Sequence, residues 1–287
     1  MRAERIIESL LRAAALASAS VSVLIFAFMA YLGYPLVEKG QLGNLFTRPW
    51  LPDQGLYGIY PMIVGTLWIA SLALLFGFPL SLGYAALIQL TTDRKNAFSR
   101  LLRKVAEIMT GIPTVVYGFV GIFLLVPFIR RWLGGGSGMC ILSAALLLAV
   151  VISPTMILFF TDSFARVPRE HLRAVDALGG RPAQKLLYVV LPRSLRGIGC
   201  GLVLAFGRAM GDTLIALMVA GNAVAVPGSV SDSARTLTAH IALVTAADFD
   251  SLEFRTLFAC GLVLYFMTTL TVTTVGVLGR RGEARRP

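Results

Sequence analysis

The stretch Val167-Pro-Arg-Glu-His-Leu-Arg-Ala-Val-Asp-Ala-Leu-Gly-Gly-Arg-Pro-Ala-Gln-Lys-Leu-Leu-Tyr-Val-Val-Leu-Pro192 sets a polar, basic segment between long apolar runs. A helix-forming run ends at Gly179-Gly180, where glycine is free to take positive φ. Pro182 suits the first turn of a second short helix, and Pro192 is expected to close it. Two short helices joined this way make a firm knob. A knob fused to membrane spans can carry a push from a soluble partner into the bilayer.

The rest of the chain supplies those spans. Of 287 residues, 56% are hydrophobic and only 14% charged, and the mean hydropathy is +0.77. That composition excludes a soluble globular domain and points to an integral membrane protein. A bilayer core of roughly 30 Å needs about 20 apolar residues as helix. Six runs meet or approach that length, giving expected spans at 13–36, 62–90, 109–129, 139–161, 197–221 and 257–279. The first is too long for the apolar part of a cleavable signal and shows no clear cleavage site, so it is read as a span. The chain divides into 1–60 (first span and an external segment), a core at 61–279, and a basic tail at 280–287. No internal repeat or low-complexity segment stands out.

The net charge of +11 is spread between the apolar runs, which fits the positive-inside rule better than nucleic-acid binding. Nineteen Lys or Arg lie in the N-terminus, 91–108, 162–196 and the C-terminus, against six in the alternate segments. Both termini and the polar stretch are therefore expected in the cytoplasm. Arg130 and Arg131 run against the rule and are expected to snorkel to the outer interface. The segments 37–61 and 222–256, rich in Pro, Gly, Asp and Ser, read as external loops with a short helix near 235–245. Pro79 and Pro113 predict kinks in spans two and three.

Several chemistries are excluded. The lysines, Lys39, Lys95, Lys104 and Lys185, are followed by Gly, Asn, Val and Leu, so there is no phosphate-binding P-loop. Any nucleotide hydrolysis must come from another chain. His171 and His240 are far apart and read as solvated loop residues, with no metal-ligand spacing. Cys140, Cys200 and Cys260 lie in or beside apolar runs and read as buried, reduced thiols. No nucleophile–base pair is visible, so a membrane enzyme has little to recommend it, and neither a metal nor a cofactor is expected.

The fifth run alone carries charge, in Leu204-Ala-Phe-Gly-Arg-Ala-Met-Gly-Asp-Thr213. A charge at mid-bilayer costs about 2.5–3.5 kcal/mol even on lenient insertion scales. Arg208 and Asp212, four apart, are expected to share a helix face and pair. A structural ion pair is one reading. A substrate path is the other, since guanidinium offers a planar donor fork that fits a tetrahedral oxyanion. Asp212 would then partly neutralise Arg208 and accept a hydrogen bond from a P–OH, which sulfate lacks. Gly207 and Gly211 form a Gly-x3-Gly pair suited to close helix approach.

These residues carry a family resemblance. Gly207-Arg-Ala-Met-Gly-Asp-Thr213 with Leu217-Met-Val-Ala-Gly-Asn222 resembles a stretch of phosphate ABC importer permeases. Gly111-Ile-Pro-Thr-Val-Val-Tyr-Gly-Phe-Val-Gly121, continuing to Leu125-Val-Pro127, is similar to a second family segment. Arg48-Pro-Trp-x-Pro52 with Pro61-x-Ile-x-Gly-Thr66 is similar to the family's entry to span two, and together these favour the PstC-type subunit over its PstA-type partner. Ala174-x-x-Ala177-Leu178-Gly179, then Leu191-Pro192, resembles the loop by which such permeases dock on an ATPase.

The resemblance covers about 45–279 and implies an all-α membrane protein of the type I ABC importer permease fold, with six transmembrane helices and a cytoplasmic coupling-helix loop. It implies a bacterial cytoplasmic-membrane location and several partners: a second, PstA-type permease, two ATPase subunits and an extracytoplasmic phosphate-binding protein. Carried over by position, Arg208, Asp212, Thr213 and Asn222 belong to the substrate path. Glu170, Arg173, Ala174, Ala177, Gly179 and Gly180 belong to the ATPase coupling region. Two positions depart from the pattern: Arg173 stands where the family has Glu, and Asp212 is one methylene shorter than the family's Glu. The alternatives are a permease for phosphite, sulfate or molybdate, a secondary transporter or channel, and a membrane partner that senses phosphate without moving it.

Overall fold

The computed structural model describes residues 2–38, 42–90, 97–134, 136–245, 248 and 251–283. Parts of the expected loops 91–108, 37–61 and 222–256, and the end of the basic tail, lie outside them. Helix α1 (Arg2–Glu38) is followed by α2 (Leu42–Thr47) and an antiparallel hairpin of β1 (Trp50–Leu51) and β2 (Leu56–Tyr57), with Trp50 opposite Tyr57. Then come α3 (Tyr60–Leu90), α4 (Ala97–Gly111), α5 (Thr114–Val120), α6 (Val126–Trp132) and α7 (Ile141–Ala165). The polar stretch forms α8 (Arg169–Ala177) and α9 (Pro182–Lys185). The chain ends with α10 (Leu191–Met210), α11 (Leu214–Val219), α12 (Leu237–Val244) and α13 (Leu252–Glu283).

Among the described residues, six helical stretches are long and apolar enough to cross a membrane: Ile7–Pro35, Tyr60–Leu90, Thr114–Trp132, Ile141–Ala165, Pro182–Met210 and Leu252–Val277. Their order is that of the expected spans. Helix α7 is the centre of the bundle, apolar all round and buried against α3 and α10. Small residues allow the approach: a Cβ on Gly77 would meet Met156 Cε at 2.9 Å and the Ala149 carbonyl at 3.2 Å. The core includes Ile69, Leu148, Ile152, Met156 and Phe160. By contrast α1 leaves Leu10, Leu16, Leu24 and Phe28 exposed, as a lipid-facing helix does. It packs on α13, where the rings of Phe26 and Tyr265 lie 5.1 Å apart.

One expectation about a proline fails, and a second proline shows the same device. Pro192 does not close the second short helix. The turns Leu186–Val190 widen to a π-helix, and the chain runs unbroken from α9 into α10. Span three repeats the device: Gly121–Leu125 is π-helical and Pro127 follows at the same spacing. A wide turn just before the ring relieves the clash with the preceding turn, so the helix continues through the proline. Span five therefore begins at Pro182, not 197, and is broken after Met210. Pro113 does break its segment, so α4 is a separate amphipathic helix and the third span starts at Thr114.

One end of the bundle holds the hairpin, the start of α3 and α12. Helix α12 lies inside the segment expected to hold a short helix. The Leu237 N–H donates to Thr66 Oγ1 at 2.9 Å, and a Cβ on Gly65 would strike the Arg235 carbonyl at 2.6 Å. Gly65-Thr66 is thus the seat of the 235–237 segment. His240 is not the solvated loop residue expected: it is 0% exposed, edge-on to Trp50 at a ring distance of 4.3 Å. The hairpin folds Trp50 over it, which a linear reading does not show. The opposite end holds the end of α3 with α4, α8 and α9. Cys140 and Cys260 are buried, Cys200 half-buried, and all three are unpaired.

Candidate functional site

The break in span five is the site the sequence singles out. Helix α10 ends at Gly211, whose N–H reaches the Gly207 carbonyl at 3.1 Å. The expected Arg208–Asp212 pair does not form: among the described residues, no ion pair joins them. The reason is local. Helical i,i+4 spacing stops at Gly211, and Asp212 turns forward, where Oδ1 accepts the Ile215 N–H at 2.9 Å. Arg208 instead reaches across to α7, and its Nη1 donates to Thr155 Oγ1 at 2.6 Å. Thr155 follows Pro154, which lies inside α7 and withdraws an N–H from that ladder.

Arg208 is exposed on the face that α10 presents away from the core. Its charge reaches both Asp212 and Tyr117. The Tyr117 hydroxyl donates to the Met109 carbonyl at 3.1 Å, tying α5 to α4. Gly118 lets α5 lie on Met218 of α11. The two motifs that carried the resemblance, one around Tyr117 and one around Arg208, are therefore neighbours. Thr213 closes the break, its carbonyl accepting the Leu217 N–H at 2.9 Å.

Asn222 is not brought to Arg208. It lies beyond the far end of α11, a helix about 9 Å long, at φ 58. Its Nδ2 caps the Leu217 carbonyl at 2.6 Å, and its own carbonyl accepts Arg235 Nε at 3.1 Å. Of the expected Gly-x3-Gly pair, Gly207 does serve close approach, its face meeting Thr271 of α13 at 3.0 Å. Gly211 serves to end the helix instead.

At the other end, α8 stops in a Schellman turn. Gly180 N–H bonds the Val175 carbonyl at 2.8 Å and Gly179 N–H the Asp176 carbonyl at 2.9 Å, with Gly179 at φ +73. Helix α8 has two faces at 3.6-residue spacing. Glu170, Ala174 and Ala177 lie on the outer one. Arg169, Leu172 and Asp176 lie on the other, and Arg173, exposed between the two, joins them in lining a cavity under the knob. Leu178, at the tip, is 88% exposed.

Residues 77–281 match the family model described as binding-protein-dependent transport system inner membrane component. The chain belongs to this family. It is 34% identical over 268 residues to a probable ABC transporter permease protein, YqgH, of Bacillus subtilis, covering 92% of this chain and 86% of that protein. It is 28% identical over 280 residues to a probable phosphate transport system permease protein, PstC, of Methanocaldococcus jannaschii, covering 89% and 86%. Among solved structures, a bacterial alginate ABC transporter in complex with its pentasaccharide-bound periplasmic protein superposes with a TM-score of 0.62 at 15% identity, covering 97% of this chain and 96% of that one. That likeness places the fold among ABC importer permeases. The permease is a multi-pass membrane protein, with six helices among the described residues long and apolar enough to span the bilayer.

Sequence reasoning missed Thr155, Tyr117 and Leu178. Thr155 had a signal: a hydroxyl beside a proline inside an apolar span. Tyr117 lay within a motif already noted. Leu178 lay within the quoted docking motif, but one leucine says nothing of its exposure.

Proposed function

We propose that this permease is the PstC-type subunit of an ATP-driven importer of inorganic phosphate, forming half of the translocation path beside a PstA-type partner. The observation that carries this is Arg208. It is a guanidinium held by Thr155 at the break in span five, exposed on the open side of the bundle, within the motif that resembles that of phosphate permeases. Its planar fork suits a tetrahedral oxyanion. With Oδ1 of Asp212 engaged by Ile215, Oδ2 is left to accept a P–OH. Thr213 shapes the break, and Asn222 holds its outer helix in place.

Coupling follows from the continuous helix. From Pro182 to Met210 the rod spans 29 residues, about 43 Å at 1.5 Å per residue. A push on the knob is carried along it toward Arg208. The outer face of α8, Glu170, Ala174 and Ala177, with exposed Leu178, is the surface offered to the ATPase. Gly179 and Gly180 fix its turn. Arg173, exposed at the edge of that face, also lines the cavity beneath. The assembly would comprise two ATPase subunits and an extracytoplasmic phosphate-binding protein, with both termini cytoplasmic, as the charge asymmetry supports.

The test is reconstitution with these partners in proteoliposomes. ATP-dependent uptake of labelled phosphate, uncompeted by sulfate or molybdate, is expected. Uptake that sulfate or molybdate abolishes would assign another oxyanion, and uptake without ATP would assign a secondary transporter.

A further inference from the structure

Beneath the coupling knob lies a cavity of about 980 Å³. Its lining comes from separate parts of the chain: the end of α3, the amphipathic helix α4, the end of α7, and the knob with the start of span five. Arg100 and Arg103 of α4 face Arg169 and Arg173 of α8 across it. Lys185 is matched by an ion pair with Asp176. Among the described residues, none of the four arginines takes part in an ion pair. Folding thus gathers like charges from two helices around one space, an arrangement that a bound anion would relieve.

The floor is apolar, formed by Leu90, Phe164, Leu186 and Val190. Helix α4 also places the cavity at the membrane edge. Leu102 and Ala106 pack inward with Tyr84, Ile88 and Ile157. Leu101, Val105 and Ile108 form a separate stripe, 58%, 40% and 58% exposed, which needs lipid to cover it. The arginines of the same helix therefore sit at headgroup depth. Basic pockets between helices on the cytoplasmic side are suited to anionic headgroups.

We propose that this cavity binds a phosphate group, carried by an anionic phospholipid headgroup or present as free inorganic phosphate. Its size and apolar floor fit a headgroup with its glycerol better than a bare ion, which would fill a small part of it. Occupied, it would draw α4 and α8 together and brace the knob from below. This holds whichever solute the permease carries, because the cavity is separate from the Arg208 break.

The experiment uses the full-length protein, purified from membranes with the subunits that accompany it. Binding of fluorescent phosphatidylglycerol is compared with that of phosphatidylcholine. Saturable binding of phosphatidylglycerol alone is expected. The triple variant Arg100→Gln/Arg103→Gln/Arg173→Gln should bind it roughly 100-fold more weakly. Arg130→Gln/Arg131→Gln, altered at the other end of the bundle, should bind as wild type. If the triple variant does not assemble, Arg103→Gln alone should weaken binding about fivefold. Competition by potassium phosphate but not potassium chloride would show that free phosphate shares the site, and lack of competition would assign it to lipid. Equal binding by wild type and the cavity variants, or no preference for phosphatidylglycerol, would overturn the proposal.

Discussion

Replacing Thr155 by valine isolates the contact that holds Arg208. The two side chains have nearly the same shape, so packing in α7 is preserved while the acceptor for Arg208 Nη1, now at 2.6 Å, is lost. Hydrogen bonds to charged groups contribute roughly 1.5–3 kcal/mol. Arg208 is exposed on this chain, so water offers a substitute and the lower figure applies. About 1.5 kcal/mol corresponds to a roughly tenfold change in the population of correctly placed guanidinium. Valine leaves the charge itself in place, so expression and assembly should be unchanged. The assay is the initial rate of ATP-dependent phosphate uptake, normalised to transporter in the membrane, over a range of phosphate concentrations. A separate binding protein would set the half-saturating concentration, so the loss should fall on the maximal rate. Thr155→Ser restores the acceptor and should recover most of that rate. Wild-type uptake by Thr155→Val would refute the positioning role of Thr155.

Further outcomes follow from other parts of the structure. Gly180→Ala drives a Cβ into Val175, 2.9 Å from its carbonyl, and should uncouple ATP hydrolysis from uptake. Gly179→Ala has open space and only a left-handed backbone to sustain, at about 1 kcal/mol, so a coupling measurement should rank it as the milder change. Burial, aided by the positive charge of Arg235, holds the His240 imidazole down at about 3 from its usual 6.5. The folded protein keeps it neutral, so its contribution is complete above pH 6.5 and is lost as pH falls toward 3. Thermal unfolding should therefore show a loss of about 2 kcal/mol near pH 5 that His240→Leu removes. In a cysteine-free background, Leu178→Cys should label only from the cytoplasm and Val226→Cys only from outside; the reverse would invert the orientation.

The apolar runs made the fold legible, because a lipid-crossing helix needs length and little else. The Gly179-Gly180 turn was legible too, since positive φ has few alternatives to glycine. What escaped depended on neighbours. Pro192 reads as a stop, but a π-turn before it absorbs the ring. Arg208 and Asp212 read as a pair only while the helix is assumed to continue through Gly211. Thr155 is 53 residues from Arg208, and no local pattern links them. His240 looked solvated because the hairpin that covers it lies almost two hundred positions earlier. Arg173 stood out in sequence against the resemblance, but only the structure shows that it lines a cavity with arginines of α4.

The central claim is that Arg208 serves the passage of phosphate and is not held for structure alone. The most direct measurement is phosphate uptake by Arg208→Lys and by Arg208→Ala/Asp212→Ala, each normalised to the amount of transporter assembled in the membrane. Lysine keeps the charge without the fork, and the double change removes both charges from the break. The account predicts normal assembly for both variants, with uptake severely reduced by lysine and abolished in the double variant. Full uptake by the double variant would contradict it.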